Sequence, residues 1–263
     1  MAGAGNNGVR LRVVSALAMM PPALAAAWFG WPWLPALVAA AAAGMGFEWA
    51  RLVGAGTGGA LIVATPLAAT VLAAFAYPAA ACAVAVMGAA TVGAQAVGRA
   101  APAPLWAAFG TLWLALGSVS FLWVAATAGR ATVIWLLALV WAADSAAFAI
   151  GRAVGGPRLA PVLSPNKTWA GFVGGLGGAA IAGAAAAAMS GAAMAVLVPL
   201  SVLVGVAAQL GDLGESAAKR RFKVKDSGGL IPGHGGLLDR LDSLLAAALA
   251  LGALVLAAGS PLP

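Results

Sequence analysis

Five of the seven carboxylates in this chain, Asp212, Glu215, Asp226, Asp239 and Asp242, fall within 31 residues. The same stretch carries six of the fourteen basic side chains, Lys219, Arg220, Arg221, Lys223, Lys225 and Arg240, together with the one histidine, His234. A solubilising surface would spread such groups, and a helix dipole uses only one or two acids, so the clustering points to a local use. Hard carboxylate oxygens suit Mg²⁺, which binds through one or two carboxylates plus substrate phosphates and keeps water elsewhere. Asp212 and Asp239 are the first-choice ligands, because a helical hairpin could join them although 27 positions separate them. Asp242, three residues after Asp239, is either a further ligand or a group that orients Arg240 and metal-bound water. The basic run reads as a binding surface for phosphate or anionic headgroups, or as a lock on membrane orientation. Asp226 and the run Gly228-Gly229-Leu230-Ile231-Pro232-Gly233-His234-Gly235-Gly236 favour phosphate, because glycines let backbone N–H groups approach phosphate oxygens. In that setting His234 reads as a substrate contact rather than a general base.

A second polar patch lies upstream. Asp144 falls inside an apolar run, where an ionisable group is costly and marks a site or an internal ion pair. Ser164-Pro165-Asn166-Lys167-Thr168 then presents hydroxyl, amide and ammonium groups suited to a phosphate or nucleotide, with helix capping by Ser164 or Thr168 as the structural alternative. Glu48 and Arg51, three apart, are read as an intrahelical pair. The single Cys82 sits in an apolar run and is read as a buried small hydrophobe, and with no Cys/His cluster a structural zinc or thiolate site is set aside.

The elements that must position these groups are membrane helices. A 63% apolar composition, 8% charge and mean hydropathy of +1.01 lie far outside globular norms. The 36 glycines are packing devices, since small residues let membrane helices approach closely. Stretches able to cross about 30 Å of hydrocarbon lie near 12–29, 31–48, 59–77, 79–98, 104–126, 131–151, 171–189, 192–211 and 243–259. The expected fold is therefore all-α and polytopic, with about nine spans. Pro21 and Pro22 interrupt the first, and the glycine-rich 171–189 is a candidate for a bent or re-entrant segment. With a cytoplasmic N-terminus, Arg10, Arg12, Arg51, Arg99, Arg152, Arg158, Lys167, Lys219, Arg220, Arg221, Lys223, Lys225 and Arg240 fall on the cytoplasmic side and Arg130 alone outside, a strong positive-inside bias. The polar segments 152–170 and 212–242 are then cytoplasmic loops, in a cell inner membrane or its equivalent. Residues 1–130 divide off as an N-terminal transmembrane region and 131–263 as a catalytic one. Trp28, Trp31, Trp33, Trp49 and Trp106, near span ends, suit an interfacial aromatic belt.

The segment Ser216-Ala217-Ala218-Lys219-Arg220, four residues, Lys225-Asp226, then Leu230 to Asp242 resembles the C-terminal signature of the phosphatidate cytidylyltransferases, or CDP-diacylglycerol synthases. Ala218 departs from it, standing where a larger aliphatic residue is usual. The likeness extends to Ser164–Gly171 and to Asp144, with Ala170 at a position where a polar side chain is expected, and covers roughly 141–242. The resemblance implies a polytopic helical enzyme, a homodimer, that takes CTP from water and phosphatidate from the bilayer. It implies that Asp212 and Asp239 carry Mg²⁺, with a monovalent cation such as K⁺ sharing the acidic site. It assigns phosphates to Lys167, Lys219, Arg220 and Lys225, shorter-range contacts to Ser164, Ser216 and His234, and support of the basic residues to Asp226. Asn166, Thr168, Arg240 and Asp144 complete the expected substrate contacts; no nucleic-acid partner is expected. Two alternatives stand beside this reading. One is a related CTP-dependent enzyme acting on another lipid phosphate or an isoprenoid alcohol. The other is an ion-coupled transporter, for which Asp144 would be the relevant acid but the massing of acids in one loop is unsuited.

Overall fold

Apolar runs punctuated by Pro and Gly become helices in the computed structural model, which describes residues 20–101, 103–231 and 235–259. These are α1 (20–29), α2 (Trp33–Leu52), α3 (Gly59–Ala74), α4 (Pro78–Gly98), α5 (Pro104–Val154), α6 (Trp169–Ser190), α7 (Met194–Arg221) and α8 (Leu238–Ala258). Pro78 and Pro104 each open a helix, where a missing N–H removes no intrahelical bond. Arg10, Arg12, residues 12–19 of the first expected span, and His234 lie outside the described residues.

Among the described residues, α4, α5, α6, α7 and α8 are long and apolar enough to cross a membrane. At ~1.5 Å per residue, the 51 residues of α5 would reach roughly 75 Å, far more than one bilayer core of about 30 Å. The helical backbone is interrupted at Gly129, whose φ of 80° lies in the region that glycine enters at little cost. Expected spans 104–126 and 131–151 fall on either side of it.

The chain forms two units. The first holds the described residues up to Trp123 together with Phe222–Arg240; the second holds Val124–Arg221 and the described residues from Leu241. In the first, α3 packs against both α2 and α4. Ala69, Ala81, Ala85, Ala115 and Val119 form a buried cluster there. Trp28, Trp31 and Trp33 are exposed, as a belt requires, but Trp49 is fully buried and donates its indole N–H to the Trp106 carbonyl at 3.2 Å. Cys82 is exposed on α4, contrary to the buried reading. An apolar run gives no sign of which face meets protein, because in a membrane the outer face is apolar too.

In the second unit, the glycine-rich segment forms one continuous helix, α6. Its glycines are consumed by close helix approach. A Cβ at Gly171 would lie 2.9 Å from the Ala147 carbonyl oxygen, and one at Gly175 3.1 Å from that of Ala143, both on α5. On the α7 side, a Cβ at Gly205 would lie 2.8 Å from Ala179 Cβ. Thus α6 is weakly hydrophobic because it packs backbone to backbone.

Two features depart from the all-α expectation with polar loops. Residues 158–168 form an antiparallel hairpin, β1 (Arg158–Ala160) and β2 (Ser164–Thr168), in which Arg158 pairs with Thr168 and Ala160 with Ser164. A two-stranded ribbon has only edges, so Pro165 is tolerated in β2. The short, unalternating Ser-Pro-Asn-Lys-Thr run offered no strand period to detect. Second, α7 continues ten residues past the expected end at 211. Asp212, Glu215, Ser216, Lys219, Arg220 and Arg221 are therefore helical, with acids preceding bases along the axis as the helix dipole and i,i+4 pairing favour.

Candidate active site

Helix phase brings the acids of the second unit together. Asp212 and Glu215 are one turn apart on α7, and Asp242 comes from α8. One carboxylate oxygen from each lies within 4.8 Å of the others, and Glu215 and Asp242 are buried. The approach depends on Gly211: a Cβ there would lie 2.5 Å from Ala246 Cβ and 2.7 Å from the Asp242 carbonyl oxygen. The residue before Asp212 is thus the point where α7 and α8 touch through backbone.

Two lysines are bound to this group. Lys167 Nζ on β2 lies 2.6 Å from Asp212 Oδ2, and Lys219 pairs with Glu215 one turn earlier on α7. Three carboxyl groups thus share the site with two ammoniums. The donor set is all hard oxygen, the chemistry that a divalent cation of the Mg²⁺ type prefers.

Beside these acids opens a cavity of about 680 Å³, lined among others by Asp144, Arg152, Arg158, Asn166, Lys167 and Asp212. That volume is of the size that takes a nucleotide-sized ligand. The hairpin carries Asn166 and Lys167 to the wall, and α5 brings Asp144 and Arg152. Asp144 is exposed there rather than sealed in the span interior. Gln209 on α7 also lines the wall and donates to the Phe172 carbonyl on α6 at 3.1 Å.

Thr168 lines the cavity and also caps a helix. Its backbone is extended, and its hydroxyl accepts the Gly171 N–H at 3.0 Å, so the structural alternative holds for its oxygen. Thr168→Ala is expected to lower stability by about 1 kcal/mol and Thr168→Ser by much less, measured by thermal unfolding in detergent. Arg220 is exposed and donates from Nε to the Leu163 carbonyl at 3.1 Å, tying α7 to the hairpin turn. Ser164 is half-buried at the start of β2, and Ser216 is buried on α7.

The remaining expected residues belong to the first unit. Asp239 accepts the Ser227 N–H at 3.0 Å and the Gly236 N–H at 2.7 Å, reaching back as an acid in a first helical turn does. Lys225, Asp226 and Arg240 are exposed. Glu48 does not pair with Arg51 as expected. It is buried and accepts backbone N–H groups of Leu230, Leu237 and Leu238, while the Arg51 guanidinium lies 5.7 Å from the centre of the Phe47 ring.

The residues absent from the sequence-based assignment are Glu215, Arg152, Arg158 and Gln209. The three-residue step from Asp212 to Glu215 was a usable signal, but only if helix is extended past the apolar run. In the sequence, Arg152 and Arg158 read as orientation charges, and Gln209 carries no signal.

The sequence profile of the cytidylyltransferase family matches residues 10–257. The chain belongs to that family. Among relatives of this chain, a protein of Brucella suis biovar 1 (strain 1330) named phosphatidate cytidylyltransferase is 49% identical over 121 residues, 46% of this chain and 45% of the relative. One of the same name from Staphylococcus saprophyticus subsp. saprophyticus is 39% identical over 143 residues, 53% of this chain and 55% of the relative. The match therefore spans about half the length of these relatives. The cytidylyltransferase match includes both polar patches, since residues 144–168 and 212–242 lie within it.

Proposed function

We propose that this chain is a phosphatidate cytidylyltransferase, an integral membrane enzyme that makes CDP-diacylglycerol and pyrophosphate from CTP and phosphatidate. The observation that carries the reading is the group of Asp212, Glu215 and Asp242, with Lys167 and Lys219 bound to two of its members, beside a cavity edged by arginines. A phosphate oxygen of phosphatidate attacks the α-phosphorus of CTP; the new P–O bond forms as the bond to the β-phosphate bridging oxygen breaks, and pyrophosphate leaves with that electron pair. The attacking phosphate monoester is already anionic near neutral pH, so the protein must position reactants and neutralise charge more than remove a proton.

Asp212, Glu215 and Asp242 are the residues that would hold Mg²⁺. When bound, the ion would offset the charge developing on phosphate oxygens. Lys167 and Lys219 keep two acids of the group partly neutralised, while Arg152, Arg158 and the Asn166 amide offer donors to phosphate or ribose along the cavity. The role of Asp239 as a ligand, and those of Lys225, Asp226, His234 and Arg240, rest on the signature. The same reading includes about nine spans, a site on the cytoplasmic side, a homodimer and a monovalent cation at the acidic site; the positive-inside bias supports the orientation.

The test is the purified protein in lipid–detergent micelles with CTP, phosphatidate and Mg²⁺, scored for pyrophosphate and a CMP-bearing lipid. Both products are expected in equal amounts, and only when both substrates are present. A CMP-bearing product from an isoprenoid phosphate but none from phosphatidate would overturn the substrate. Ion flux in liposomes without nucleotide, and no CMP-lipid, would overturn the enzyme reading.

A further inference from the structure

Glu48 lies on α2, whose only other charged residue is Arg51, and is 1% exposed. Burying a carboxylate is costly unless its oxygens are satisfied. Here Oε1 accepts from Leu237 N–H at 3.0 Å and, at 3.4 Å, from Leu230 N–H, while Oε2 accepts from Leu238 N–H at 2.8 Å. Leu238 opens α8, so the acid takes donors that the helix itself cannot use and faces the positive end of its dipole. Two glycines make room for it. A Cβ at Gly228 would lie 2.6 Å from Glu48 Cγ and Cδ, and a Cβ at Gly236 2.6 Å from Oε2.

The same loop is gripped a second time by Asp239, which holds Ser227 and Gly236. The two grips interleave: five backbone N–H groups from 227 to 238 go to two carboxylates, one on α2 and one in the first turn of α8. Glycines read from the sequence as openings for phosphate thus serve at 228 and 236 to admit a buried acid. Because Glu48 binds the two residues immediately before Asp239, it sets where the Asp239 side chain starts.

We infer that Glu48 is a positioning residue for nucleotidyl transfer: it clamps the glycine-rich loop and the start of α8, and thereby fixes the Asp239 carboxylate. The inference rests on the proposed reaction, since Asp239 acts in that reaction through the signature. Glu48→Gln keeps length and shape but offers one acceptor atom in place of two. In full-length protein in detergent, the expected result is hydrogen exchange at least tenfold faster in peptides covering 227–231 and 235–238, with α3 and α4 unchanged. In the same variant kcat falls at least tenfold while KM for phosphatidate stays within twofold. Gly228→Ala, which disturbs the contact from the loop side and leaves α2 intact, is expected to give the same pattern and serves if Glu48→Gln does not fold. Unchanged exchange in both variants would overturn the clamp. Faster exchange with full kcat would overturn the positioning role and leave Glu48 structural. Wild-type protein that forms no CMP-lipid would overturn the proposed reaction and the positioning role with it, while exchange would still decide the clamp.

Discussion

Asp212→Asn is expected to reduce CMP-lipid formation on the order of 10³-fold while the protein still inserts and purifies normally. The substitution removes one of three carboxyl groups from the cluster formed with Glu215 and Asp242, and it releases Lys167, whose Nζ lies 2.6 Å from Asp212 Oδ2. Two effects therefore combine. The hard-oxygen site loses a charged ligand, and an ammonium set beside the cavity loses the partner that orients it. Asp212 is only half-buried, so the change leaves no large desolvated orphan and folding should survive. Asp239→Asn is expected to be of comparable severity by a different route. Its amide keeps one acceptor for the Ser227 and Gly236 N–H groups while the charge is lost. The measurement is initial rate at saturating CTP and phosphatidate across a Mg²⁺ titration, with membrane fractionation as the control. Near-normal turnover for Asp212→Asn would remove the three-carboxylate group from the chemistry, and the same result for Asp239→Asn would remove the signature's assignment.

Gly211→Ala should strike both stability and activity. The added methyl would sit 2.5 Å from Ala246 Cβ and 2.7 Å from the Asp242 carbonyl oxygen, and the second neighbour is backbone that cannot rotate away. Overpacking of this kind costs typically ~1–3 kcal/mol, and separating α7 from α8 moves Asp242 away from Asp212 and Glu215. Turnover is expected to fall at least tenfold, alongside a lower unfolding temperature. Gly214, one turn further along α7, provides the control, because a Cβ there would meet nothing within 4 Å. Gly214→Ala should retain activity and gain up to about 1 kcal/mol from better helix propensity. Equal behaviour of the two variants would show that the close approach at Gly211 has no part in assembling the acids.

These expectations separate what was readable along the chain from what was not. The density of acids and bases between 212 and 242, the apolar runs and the signature are all local: the first indicates a phosphate and divalent-cation site, the second a membrane protein, and only the signature's likeness implies a cytidylyltransferase. The apolar runs marked most of the helices too, but the end of α7 was not legible. Hydropathy stops at 211, whereas the helix continues on the strength of i,i+4 pairs such as Glu215–Lys219. Missing that extension left Glu215 without a role. The hairpin at 158–168 was missed for a related reason, since its strands are too short and too polar to show a period.

Residue identity, in other words, indicated the class of ligand, phosphate and a hard cation, because hard oxygens, ammoniums and glycines keep their properties wherever they stand. Partnership was decided only in three dimensions. Asp242 joins Asp212 and Glu215 because a glycine at 211 lets two helices meet through backbone. Glu48 leaves its neighbour Arg51 for the N–H of Leu238, 190 positions away. A buried carboxylate goes to the donors that cannot otherwise be satisfied, and those are set by which helix ends and loops pack against it, a property that no window of sequence contains.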